Sequence, residues 1–283
     1  MEAFVSTEWL AARLGDPALR ILDATVHLHP LPGGNMRAES GRGDYLAGHI
    51  PGAVFADLIT DLSDPESRLR FTLPDAARFG AAMGALGVSN ETAVVVYSTG
   101  TPHWAPRLWW MLKAFGHDRA AVLDGGWGKW KAEGRPTAAG NETPAPAVFE
   151  ASRRPGYFVG REEVEAALAD PGAVVLNSLS AEQHAGGGQH YGRPGRIAGS
   201  VNVPSAGLVD PATGALLPMA QVRQKFDEAG AVAAERVVTY CGGGIAASLG
   251  AMTLHLLGQE NVAVYDDSLQ AWARDPSLPM ETG

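Results

Sequence analysis

The stretch VVTYCGGGIAAS, residues 237–248, holds the only cysteine of the 283-residue chain, set between a β-rich run and three consecutive glycines. A strand, a tight glycine loop and then a helix would put Cys241 at the carboxyl end of one element and the amino end of the next. Glycines permit the φ values and close backbone approach that a ring of amides requires. The N–H groups of Gly242, Gly243, Gly244 and Ile245 are therefore expected to converge on the sulfur, with Ala246 completing the anion-stabilising loop. The helix N-terminus adds partial positive charge. Both effects favour a thiolate, and equally a negative charge on a second sulfur bonded to the first. An inert core cysteine has no use for a glycine run, whose conformational entropy cost some gain must offset. A reactive thiol is the expectation.

The elements that must position this thiol alternate short β-rich runs with helical patterns, the signature of parallel α/β architecture. In the first half ILDATV (21–26), AVFADL (53–58) and AVVVYS (93–98) read as strands, with helices over Ser6–Leu14, Asp75–Leu86 and Ala105–Phe115. In the second half AVVLNSL (173–179), SVNVP (200–204), RVVTY (236–240) and VAVYD (262–266) read as strands, with helices over Arg161–Leu168, Met219–Glu228 and Ile245–Leu257. Between the halves PTAAGNETPAPAV (136–148) lacks apolar periodicity and reads as a linker, giving domains over 1–138 and 148–283.

The halves repeat each other. AVVVYS ending at Ser98 matches RVVTYC ending at Cys241, AVLDGGWGKW (121–130) matches AVYDDSLQAW (263–272), and GHIPGAVF (48–55) matches GRIAGSVN (195–202). Three matched segments in one order indicate a duplicated domain. Ser98 holds the place of Cys241 in the first copy, which continues TGTPHWAPR in place of GGGIAAS.

The formal charge of −9, with no Lys/Arg-rich block to offset it, argues against nucleic acid or a membrane surface as partner. A lone cysteine forms no intramolecular disulfide, the N-terminus lacks the pattern of a signal peptide, and no segment approaches the roughly 20 apolar residues of a membrane span. The expected setting is cytoplasmic, with small molecules or other proteins as partners.

These motifs together resemble the tandem rhodanese-type sulfurtransferases, the family of thiosulfate and 3-mercaptopyruvate sulfurtransferases. The resemblance covers nearly the whole chain: LDATV, GHIPGAVFADL, VVVYSTG, RLWWMLKAFGH and VLDGGWGKWKAEGRP in the first half, GRIAGSVNVP, VVTYCGGGIAAS and VAVYDDSLQAW in the second. It implies two rhodanese-like α/β domains, each a mainly parallel sheet flanked by helices. The first lacks the nucleophile, and the active site of the second opens toward the domain interface. It also implies double displacement: Cys241 takes a sulfane sulfur from a small donor as a persulfide and passes it to cyanide or a thiol, without metal or organic cofactor.

The donor is less clearly written. Family members that prefer thiosulfate carry Arg and Lys directly after the cysteine, whereas those that prefer 3-mercaptopyruvate resemble C-G-[ST]-G-V-[TA]. CGGGIAAS is closer to the second form, but Gly243 replaces its hydroxyl residue. Where that subgroup carries an arginine two residues past a strand aspartate, LNSLSAEQ supplies Asn177 and Leu179, and Leu cannot pair a carboxylate as Arg does. The loop 185–199 offers His190, Arg193 and Arg196 as other anion contacts, Arg196 sitting where the first copy has His49. His49 in GHIPGA resembles a family position near the interdomain pocket, with a structural hydrogen-bonded role as the alternative.

Asp124 and Asp266 end matched strands and are expected to cap the following helices, and Arg107 to brace the vacant loop of the first domain. His27 and His29 share a strand face but have no further ligand cluster in the sequence, which disfavours a metal. A related phosphatase chemistry uses a longer loop ending in arginine, where this chain has Ala246 and Ala247. Two further alternatives are a persulfide carrier fed by a protein partner, with little turnover of small donors, and a regulatory domain with an unreactive thiol.

Overall fold

The computed structural model describes residues 1–31, 36–188 and 191–283. His190 lies outside the described residues. Strands of the first half are β1 (Phe4–Val5), β2 (Leu19–Asp23), β3 (Val26–Pro30), β4 (Met36–Ser40), β5 (Ala53–Phe55), β6 (Ala93–Tyr97) and β7 (Ala120–Leu123). Those of the second half are β8 (Phe158–Val159), β9 (Ala173–Asn177), β10 (Arg196–Ile197), β11 (Val201–Asn202), β12 (Arg236–Tyr240), β13 (Val262–Tyr265) and β14 (Met280–Glu281).

Two parallel five-stranded sheets result, in the orders β1-β7-β6-β2-β5 and β8-β13-β12-β9-β11. The duplication read from the sequence is therefore a duplication of topology, and it extends to register: Asp23 pairs with Tyr97 in one sheet and Asn177 with Tyr240 in the other. The central strands are near-continuous apolar runs because helices cover both faces. Val94, Val95, Val96 and Tyr97 are fully buried, as are Val237, Val238, Thr239 and Tyr240.

Most expected elements appear with ends shifted by a few residues. The strand carrying His27 and His29 pairs with β4 in a hairpin outside both main sheets, a partnership that the mixed polar runs VHLHP and MRAES do not specify. His27 and His29 lie on it beside carboxylates, with Nε2 atoms 2.9 Å from Asp44 and 3.3 Å from Glu39. No group of three or more residues suited to a metal occurs among the described residues, and among them no helix is long and apolar enough to cross a membrane.

The helices Trp104–Ala114 and Ile245–Leu256 follow the matched strands β6 and β12 and pack against each other between the domains. Leu108, Met111, Leu249 and Met252 from these two helices belong to one apolar cluster that runs through both halves. The linker is a bonded strap along the first domain. Gly140 N–H donates to Leu46 O, Ala147 N–H to Gly84 O and Arg154 N–H to Ala114 O, at 2.9, 2.9 and 2.7 Å. A Cβ on Gly84 would stand 2.6 Å from Ala147 O, so the missing side chain is what lets the strap approach its helix.

Candidate active site

Cys241 follows β12 directly and is 3% exposed at the wall of a cavity of about 360 Å³. The cavity lies between the domains. The first contributes Leu28, Met36, Arg70, Phe71, His103 and Trp104 to its lining, and the second contributes Leu179, Tyr191, Ile245, Gln270 and the cysteine loop.

The loop is held from below by Ser268. Its Oγ accepts the N–H groups of Cys241 and Gly244, both at 3.1 Å, and donates to Tyr265 O at 2.8 Å. Ser268 is fully buried and sits at φ 51°, a left-handed conformation that costs a non-glycine residue about 1–3 kcal/mol and persists only where surroundings enforce it. The next two amides complete the clamp, Leu269 N–H donating to Cys241 O and Gln270 N–H to Gly242 O. Ser268 and Gln270 fall in the repeated segment DDSLQAW, but nothing in that local pattern marks its serine as the brace of a loop 27 residues earlier.

The glycines have separate reasons. Gly244 has φ +77° and begins the helix Ile245–Leu256. Gly242 lies under the ring of Tyr191, where an added Cβ would stand 2.0 Å from the ring carbon Cζ. Burial, and secondarily the neighbouring Cys241, push the Tyr191 phenol up to about 12, so it is a neutral donor near pH 7.

Because Gly244 N–H is taken by Ser268, it is not available to the sulfur, which corrects the expectation that all the loop amides converge there. The N–H groups of Gly242, Gly243, Ile245 and Ala246 have no acceptor among the described residues.

The second domain is tied to the first around this loop. Arg107 Nη2 donates to Phe71 O at 2.6 Å and to Asp266 Oδ1 at 2.7 Å, while Asp266 Oδ2 accepts Leu73 N–H at 2.7 Å. Arg107 thus braces the interface rather than the vacant first loop. Asp266 and Asp124 do not cap the next helix. Asp124 reaches across the interface in the opposite sense, accepting Leu216 N–H at 2.7 Å. Gln270 adds a reciprocal pair with the Arg70 backbone, at 3.2 and 2.9 Å, and Arg70 Nη1 donates to Met36 O. Arg70 was not singled out in the sequence, since its segment ESRLRF belongs to the domain without the cysteine.

The three other substrate candidates lie elsewhere. Arg193 turns its guanidinium to the backbone carbonyls of Trp272, Ala273, Asp275 and Leu278. Arg196 bonds Gly283 O at 2.7 Å and pairs with Glu281 at 3.3 Å. His49 is fully buried, stacked on Tyr45 at 4.3 Å, with Nδ1 2.8 Å from Tyr45 O. The positional match of His49 with Arg196 is nonetheless real, since His49 bridges Ala138 as Arg196 pairs with Glu281. Both fasten the C-terminal segment of their own domain, which is why neither lines the cavity. Leu179 does line it, held by Asn177 Oδ1, which accepts Leu179 N–H at 2.9 Å.

The rhodanese-like domain family matches residues 6–133 and 161–275. Among curated proteins, thiosulfate/3-mercaptopyruvate sulfurtransferase 2 of Arabidopsis thaliana is 32% identical over 99% of this chain and 86% of its own length. Thiosulfate sulfurtransferase of Rattus norvegicus is 33% identical over 99% and 94%, and 3-mercaptopyruvate sulfurtransferase of Homo sapiens 32% identical over 95% and 91%. Among solved structures, the 3-mercaptopyruvate sulfotransferase SseA of Escherichia coli superposes with a TM-score of 0.81 at 31% identity, over 95% of this chain and 99% of that one.

Proposed function

Because this chain belongs to the rhodanese-like family, as a sulfurtransferase built from two such domains, we propose that it moves a sulfane sulfur from a small donor to a thiophilic acceptor through a persulfide on Cys241. The observation that carries this reading is the cysteine itself, at the wall of an interdomain cavity, with four backbone N–H groups of its loop unpartnered among the described residues. The Cys241 thiolate attacks the transferable sulfur of the donor, the bond from that sulfur to the rest of the donor breaks (S–S in thiosulfate, C–S in 3-mercaptopyruvate), and sulfite or the pyruvate enolate departs with the electron pair. The persulfide anion then rests against the N–H groups of Gly242, Gly243, Ile245 and Ala246, with the positive helix end behind them. Attack by cyanide or a thiolate on the outer sulfur returns Cys241 as thiolate. The chemistry requires no metal or organic cofactor.

Thiosulfate and 3-mercaptopyruvate are the donors to test, since relatives carry both names. Cyanide-dependent thiocyanate release from either, lost in Cys241→Ser, is the expected result. Equal release by the variant would contradict the assignment. Leu179 at the cavity wall favours a second reading, a carrier loaded by a persulfidated protein partner. High turnover with a free small donor would sink that reading.

A further inference from the structure

Tyr191 comes from a loop about 50 residues before the cysteine and seats itself on the cysteine loop. Its Cζ, Cε1 and Oη are the atoms nearest to where a Cβ on Gly242 would stand, so ring and hydroxyl both lie against the residue that follows Cys241. The side chain lines the cavity together with Cys241, Gly243 and Ile245, and its Oη has no hydrogen-bond partner among the described residues. Burial first, and the nearby charge of Cys241 second, disfavour ionisation of the phenol, which therefore keeps its proton near pH 7. Other polar side chains around the loop are engaged. Gln270 lies beside Gly243 but is bonded at both ends of its amide to the Arg70 backbone, and Arg70 Nη1 donates to Met36 O.

The sulfur being moved bears negative charge in thiosulfate, and again as the outer atom of a persulfide. Each nucleophile that attacks it, Cys241 thiolate in loading and cyanide or a thiolate in discharge, brings charge of the same sign. The free amides of the loop offset that charge from one side. On the cavity side Phe71 and Leu179 offer nothing polar from their side chains. A neutral hydroxyl there would supply the missing donor, and hydrogen bonds to an ionised acceptor are the strong ones.

Resting on the sulfur-transfer reading above, we propose that Tyr191 is a further catalytic residue, whose phenol donates a hydrogen bond to the outer sulfur of the Cys241 persulfide and to the same sulfur while it is transferred. The phenol keeps its proton throughout. The bonds made and broken remain those at sulfur, so the step needs no further reactant.

Tyr191→Phe keeps the ring on Gly242 and removes only the hydroxyl. Wild type and variant would be loaded with thiosulfate or 3-mercaptopyruvate until intact mass shows one added sulfur, and their alkylation by iodoacetamide followed against pH. The persulfide of Tyr191→Phe should titrate about one pH unit higher, because its anion has lost a donor, while the unloaded Cys241 thiol should move far less. In cyanide-dependent turnover kcat should fall about tenfold or more, with the donor KM little changed. Placing 3-fluorotyrosine at position 191, a more acidic phenol of nearly the same size, should move the persulfide midpoint the opposite way, which keeps the test decisive if Tyr191→Phe fails to fold. A persulfide midpoint that neither replacement moves would overturn the proposal. So would an equal shift in the unloaded thiol, which would place the hydroxyl on Sγ. Failure of wild type to take up sulfur from either donor would instead contradict the sulfur-transfer reading itself.

Discussion

At the heads of two sheets with the same strand order, two loops differ in what supports them. In the second domain Cys241 leads into three glycines, and Ser268 holds the loop by accepting two of its amides. In the first domain Ser98 takes the place of Cys241 and Gly126 that of Ser268, with nearly the same backbone, φ 53° against 51°. Even the bond from the following residue is kept: Trp127 N–H donates to Ser98 O as Leu269 N–H does to Cys241 O. Gly126 has no hydroxyl to offer, and Ser98 Oγ donates to its own loop at Thr101 O. The cavity beside Ser98 has about 470 Å³, and its Lys129 pairs with Glu133. Duplication preserved the scaffold, and only the second copy joins a thiol to a hydroxyl that braces its loop.

The sharpest way to break this comparison is to exchange nucleophiles. Cys241→Ser should reduce sulfur transfer by about a thousandfold or more, and adding Ser98→Cys should not restore it, because that loop lacks the brace. Thiocyanate formation checks both, and recovery in the double variant would show that the cysteine alone suffices.

The interdomain ties should be as unequal as the loops. Arg107→Ala leaves Asp266 buried beside an empty site and should cost about 3–5 kcal/mol, the usual penalty for breaking a buried pair. Asp124→Ala removes the acceptor for one amide, Leu216 N–H, and should cost about 1–3 kcal/mol. Denaturant unfolding of both variants measures the difference.

Ser268→Gly copies the first domain into the second. It relieves the left-handed strain but frees the Cys241 and Gly244 amides, so stability should change by less than about 1 kcal/mol while kcat/KM falls about tenfold. Unchanged kcat/KM would show that the hydroxyl has no part in organising the loop.

A smaller effect concerns pH. The His103 imidazole falls from its ordinary 6.5 to about 4 in the folded protein, so between these values the unfolded chain binds the additional proton. Its contribution is therefore present above about pH 6.5 and is lost as pH falls toward about 4. His103→Phe should flatten the decline of the thermal midpoint over that window, and an unaltered slope would contradict the assignment.

Much of the scaffold was legible because strand and helix patterns are local. VVTYCGGGIAAS names its strand, loop and helix start unaided, and internal repetition announced the two domains. The surroundings of the thiol were less legible because they are assembled at long range. Arg70 and Gln270 meet across 200 residues, and Tyr191 reaches Gly242 from a glycine-rich loop without periodicity. The same limit misdirected Arg193 and Arg196, whose charge suggested an anion but whose guanidinium groups are occupied by backbone carbonyls and Glu281.

The central claim, that one thiol in the second domain carries the sulfur, is tested most directly by intact-protein mass. Wild type and Cys241→Ser would be incubated separately with thiosulfate and 3-mercaptopyruvate. The account predicts a gain of about one sulfur atom in wild type, absent from the variant and reversed by cyanide. A gain that persists in Cys241→Ser, or no gain from any donor, would contradict it.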